Sequence, residues 1–180
     1  RHKRSALMKY LIFFLLVNLL NAEEVKNLYD NFDAQITIQK NEDIVSKGNI
    51  RYRENDFFYE VELPYSQKII GINQNIYVQD DDFNQVHVYK DNASFLLRDV
   101  LKDENQKEYI SCPTVCYKIL LNEETGFSEA LIVAFDQIIE YIQATDIQNV
   151  NYLIKFENFK VESSKIVYEP PEDYSLVKND

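Results

Sequence analysis

Apolar and polar positions alternate along 56–63: Phe57, Tyr59, Val61 and Leu63 fall on one side, Glu60 and Glu62 on the other. Such period-two patterning predicts a strand with one apolar face. The same reading predicts strands at about 35–40, 49–53, 68–72, 76–79 and 85–89, then at 107–112, 117–122, 130–135, 137–144, 151–158 and 165–168. Polar turn residues separate them, as in Asn41-Glu42-Asp43, Pro64-Tyr65-Ser66, Asn73-Gln74-Asn75 and Asp80-Asp81-Asp82. Short strands with tight turns imply an antiparallel meander. Two segments switch to a helical period. In 23–34, Val25, Leu28, Tyr29 and Phe32 share one face, and in 92–102 Ala93, Leu96, Leu97, Val100 and Leu101 form a stripe behind an Asn92 cap. About twelve strands and two helices predict a mainly β (α+β) domain. A sheet of that size must curl or split to bury its face, and the helices are the natural cover.

The first twenty-two residues follow a different pattern. Met8 and Lys9 precede an apolar run, Tyr10–Leu20, interrupted only by Asn18, which as a helix would reach only roughly 16 Å of the about 30 Å of a bilayer core. A basic start, a short apolar core and Asn21-Ala22 before Glu23-Glu24 read as a secretory signal peptide, with Met8 the expected initiator. The alternative is an uncleaved anchor. Cleavage after Ala22 would leave 23–180 as a single domain, and would remove four basic residues and no acid, taking the net charge from −11 to −15. So acidic a chain is repelled by nucleic acid and by anionic head groups. An exported, soluble protein is the class that fits.

Candidate chemistry is sparse. Beyond the leader the one histidine is His87, inside the strand pattern of 85–89, so neither a zinc cluster nor a Ser-His-Asp triad is supported. Gly48, Gly71 and Gly126 are too far apart for a phosphate-cradling loop. Glu60 and Glu62 could pair as hydrolase carboxylates, but strand alternation already explains both. Cys112 and Cys116 have either of two readings: a disulfide stapling a turn in an oxidising compartment, or two buried thiols. The residues point away from an enzyme, with no catalytic group, metal or cofactor expected.

Several segments, in order, resemble the periplasmic outer-membrane lipoprotein carrier (LolA) family. Gly48-Asn49-Ile50-Arg51-Tyr52-Arg53 resembles its Gly-x-Leu-x-x-Arg strand, and Arg53 to Tyr59 resembles its Arg-Pro-x-x-Phe-x-Trp motif. The stretch 69–78 is similar to its Ile-x-Asp-Gly-x-x-Leu-Trp hairpin, and Phe83-Asn84-Gln85-Val86 to its Leu-x-Gln-Val start. Asp146 with Phe156-Glu157-Asn158, and Val167-Tyr168-Glu169-Pro170-Pro171, are similar to its two late motifs. Glu54 stands where the family has proline, and Tyr59 and Tyr77 where it has tryptophan.

The resemblance implies an unclosed antiparallel barrel of about 11–12 strands under a helical lid, holding lipoprotein acyl chains in an apolar cavity. It implies a monomeric periplasmic chaperone. Its partners would be lipoproteins, an inner-membrane lipoprotein-releasing ABC transporter and an outer-membrane lipoprotein acceptor. Arg53 would be the rim arginine that hydrogen-bonds the lid, and Phe57 would line the cavity mouth; the competing reading is an arginine paired with a nearby acid and an ordinary core phenylalanine. Tyr59, Val61, Leu63, Ile36, Ile38, Ile50, Leu96 and Leu97 are candidates for cavity or core. A non-transport member of the superfamily, a periplasmic lipid-sensing or interaction domain, is the alternative function.

Overall fold

In the computed structural model the described residues are 29–90, 95–102, 107–136 and 138–179. The expected leader, the first part of the predicted entry helix (23–28) and the Asn92 cap lie outside them. Twelve strands are described: β1 (Asn31–Lys40), β2 (Asp43–Arg53), β3 (Asp56–Leu63), β4 (Gln67–Ile72), β5 (Asn75–Asp80), β6 (Gln85–Tyr89), β7 (Lys107–Ile110), β8 (Val115–Leu120), β9 (Phe127–Phe135), β10 (Ile138–Asp146), β11 (Asn151–Lys160) and β12 (Ser175–Asn179). One six-residue helix, α1 (Leu96–Leu101), falls between β6 and β7.

The strands form one open sheet in the order β12-β6-β5-β4-β3-β2-β1-β11-β10-β9-β8-β7. It consists of two antiparallel meanders joined where β1 pairs with β11, and its one parallel pair is β12 on β6. Buried residues follow the strand period. Phe32, Ala34 and Ile36 of β1 stand opposite Tyr52, Ile50 and Gly48 of β2, which in turn face Phe57, Tyr59 and Val61 of β3. These side chains share a single core cluster with Ile76, Ile119, Ile132, Ile142 and Ile154. A flat sheet could not bring β5 and β8 into one cluster on one face, so this sheet curls with its apolar face inward. Tyr29, just before β1, is near enough to Tyr117 of β8, four places away in the sheet, to feel its charge.

Three sequence expectations are corrected. The predicted entry helix does not extend to Ala34, because β1 already starts at Asn31. Phe32 fits both the helical face with Leu28 and Tyr29 and the alternation with Ala34 and Ile36, and pairing with β2 on one side and β11 on the other decides between the two periods. Residues 165–168 form no strand; they are part of an irregular segment between β11 and β12. The last strand lies instead at Ser175–Asn179. α1 begins at Leu96, with Phe95 in the extended conformation at its N-terminal boundary.

Candidate functional site

Close packing at one end of the curled sheet gathers an aromatic group on the inner face. The rings of Phe32 and Tyr52 stack with centroids 5.3 Å apart, and Phe57 stacks on Phe95 at 4.1 Å. Room for Phe57 comes from Gly71 opposite it on β4: a Cβ there would enter the Phe57 ring. Gly48 has a comparable role on β2, where a Cβ would strike the backbone carbonyl of Glu60. Both glycines are therefore required by close approach. α1 follows Phe95 and buries Leu97, Val100 and Leu101 in the same cluster, while Leu96 packs against its margin.

Of the candidate cavity residues, Phe57, Tyr59, Val61, Ile36, Ile50 and Leu97 are buried in this cluster, and Ile38 and Leu96 are partly buried against it. Leu63 is not. The β2–β3 register shifts between Lys47 and Gly48, so strict alternation ends there, and Leu63 stands 50 % exposed at the strand end. Tyr59 is the one of these candidates that brings a hydroxyl inside. Its hydroxyl is 2.7 Å from Ser46 Oγ, and burial raises the phenol pKa.

Arg53 does not meet α1. With Tyr52 facing inward, the next side chain must face outward. Arg53 Nη1 donates to the carbonyl of Ser163, 3.5 Å away in the segment after β11, and its Nε lies 4.0 Å from Glu54 Oε1. Ser163 is held from the other side as well, its N–H donating to Asn31 Oδ1 at 2.6 Å. The cation that faces Phe57 comes instead from the helix: Arg98 is buried, with its guanidinium carbon 5.8 Å from the Phe57 ring centre. The sequence reading missed Arg98 because it lies between two apolar positions of a stripe. The available signal was a charged pair, Arg98-Asp99, set inside Leu97…Val100.

The outer face has a cover of its own. The segment 161–174 crosses β4–β6, with Ile166 buried and the Tyr168 ring 5.3 Å from that of Tyr77. Tyr168 donates to Gln79 Oε1 at 2.9 Å. Asp81 gathers Gln79, Lys68 and Tyr174, and these hydrogen bonds hold its carboxyl below the usual carboxylate range. Cys112 and Cys116 are joined by a disulfide across the β7–β8 turn, with Cα atoms 6.2 Å apart. Among the described residues no group of three or more His, Cys, Asp or Glu side chains could hold a metal ion.

A curled open sheet with an apolar inner face and a short helix packed into it defines a class, and comparison with solved structures agrees. An uncharacterized conserved protein from Thermus thermophilus superposes with a TM-score of 0.55 at 15 % identity, over 88 % of this chain and 99 % of that one. A LolA superfamily protein from Nitrosomonas europaea superposes with a TM-score of 0.51 at 8 % identity, over 79 % of this chain and 92 % of the other. No protein-family model matches the chain, and no curated protein matches its sequence. The fold is LolA-like.

Proposed function

We propose that this chain is a non-catalytic periplasmic carrier that shields the acyl chains of lipoproteins on the inner face of its curled sheet. It would act as a monomer, receiving lipoproteins from an inner-membrane ABC transporter and passing them to an outer-membrane acceptor. The observation that carries this reading is the single apolar cluster that lines the inner face from β5 to β8 and includes Leu97, Val100 and Leu101 of α1. Each CH₂ kept from water is worth about 0.8 kcal/mol, so one acyl chain exposed between membranes would cost on the order of 10 kcal/mol. A face that is apolar and nondirectional suits a flexible chain. α1 is the element that would act as lid, since it is a short helix packed into the inner face, with the Phe57–Phe95 stack and the Arg98 contact among its links to β3. Displacing it would open the inner face, and cargo acyl chains would then replace its apolar contacts, which keeps loading and release in balance.

The test is depletion of the protein followed by membrane fractionation, together with lipid extraction from the purified chain. Lipoproteins retained in the inner membrane, and acylated cargo on the purified protein, are the expected results. Normal sorting with lipid still bound would replace this reading by a lipid-sensing domain. Normal sorting with no bound lipid would remove both.

A further inference from the structure

We propose that the sheet end opposite α1 is a docking surface for a protein partner whose contact face is apolar and flanked by basic side chains. The strand directions define this end. β1, β3, β5, β8 and β10 run toward it, so five connections gather there: those after Lys40, Leu63, Asp80, Leu120 and Asp146. α1 lies at the other end, against Phe57 near the start of β3. This inference does not depend on the carrier reading.

Turns are normally polar, and a lone exposed apolar side chain needs no explanation. Here every one of the five connections or its flanking strand end presents one: Ile44, Leu63 with Tyr65, Phe83, Leu120 and Ile147, all between 50 % and 71 % exposed. Each also carries a carboxylate nearby: Asp43, Glu62, Asp82, Glu124 and Asp146 respectively. The repeated pairing of apolar side chain and acid sets the chemistry of the occupant. Anionic lipid and nucleic acid are repelled, and a second copy would set acid against acid. A basic rim around an apolar patch satisfies both components at once, with the apolar contacts giving affinity and the charges giving steering and specificity.

The experiment titrates the isotope-labelled full chain by NMR with three probes: a synthetic amphipathic Leu/Lys peptide, a Ser/Lys peptide of equal charge, and phosphatidylcholine vesicles. The Leu/Lys peptide is expected to bind and to shift amides in all five connections. The double variant Phe83→Ser/Leu120→Ser should weaken it about tenfold or more, since both side chains are exposed and their loss spares the core. Asp43→Asn with Asp82→Asn should weaken it several-fold and reduce its salt dependence. Phe135→Ser, at the other end and 61 % exposed, should change nothing. Equal binding of the Ser/Lys peptide would overturn the proposal in favour of simple charge attraction. Vesicle binding that depends on Phe83 and Leu120, without preference for the peptide, would assign this end to lipid instead. Shifts elsewhere on the sheet, or none, would also overturn it.

Discussion

The two faces of the β4–β6 half of the sheet are both covered, but by different physics. On the inner face the cover is α1 and the aromatic group around Phe57, where ring stacking and apolar packing surround the buried Arg98 and Asp99. On the outer face the cover is the segment 161–174, which combines the buried Ile166 and the Tyr77–Tyr168 contact with a directional set of hydrogen bonds through Gln79 and Asp81. Ile70 and Val86 are fully buried yet lie outside the main cluster, because they belong to this second layer. A nondirectional cover can be exchanged for another apolar surface, whereas a directional one holds a single arrangement. The inner cover is thus mainly apolar packing, whereas the outer one adds directional hydrogen bonds that hold the segment 161–174 in place.

The largest effect expected is on the inner side. Phe57→Ala removes a fully buried ring that stacks on Phe95 and fills the space left by Gly71, and should cost about 3–5 kcal/mol. Urea unfolding of the purified chain measures it. A loss under about 1 kcal/mol would mean that the inner face is loosely filled and the contrast with the outer face is wrong. Next comes Ile166→Ala, expected to cost about 2 kcal/mol, the low end for such a truncation because the layer is thin. If that variant unfolds at the wild-type urea midpoint, the outer segment is a decoration and not a structural cover. Tyr168→Phe keeps the ring against Tyr77 and removes only the hydrogen bond to Gln79, so about 1 kcal/mol is expected. A larger loss than for Ile166→Ala would place the outer layer's strength in its hydrogen bonds.

How far these faces could be read from the sequence depended on whether a residue's surroundings were local. Alternation found β3 and β6 with their observed ends, and put Phe57, Tyr59 and Val61 on one face, because the pleat is a local property. It assigned a strand to 165–168 since Ile166 and Tyr168 do point to one side. Alternation reports a buried face, however, and not a ladder partner, and here burial occurs without pairing. β12 was missed for the converse reason: it pairs with β6 through its backbone while exposing Ser175, Leu176 and Lys178. Parity sends Arg53 outward to Ser163, a partner far away in the chain that the pattern of its own strand does not name. Arg98 could be placed only once the helix was seen against Phe57, a contact between residues far apart in the chain.

The smallest effect is nil at neutral pH and compares the two regions directly. Each holds a phenol whose pKa is pushed up to about 12, chiefly by burial: Tyr29 in the inner cluster, with Tyr117 adding to the shift, and Tyr168 in the outer layer, with Asp81 adding to it. An unfolded tyrosine ionises near pH ~10, so above that the unfolded chain loses protons that the folded chain retains. The contribution of both groups is complete below about pH 10 and is lost as pH rises toward about 12. Unfolding midpoints at pH 8 and pH 11, for the wild type and for Tyr29→Phe and Tyr168→Phe, separate the shares. Each variant should lose less stability than the wild type between the two pH values, and a residual slope should remain because Tyr59 and Tyr117 are also raised. If only Tyr29→Phe flattens the alkaline loss, the outer layer opens before its tyrosine titrates, and it is a weaker cover than the inner one. If both do so, the two layers unfold together, and the sheet with its two covers is one cooperative unit.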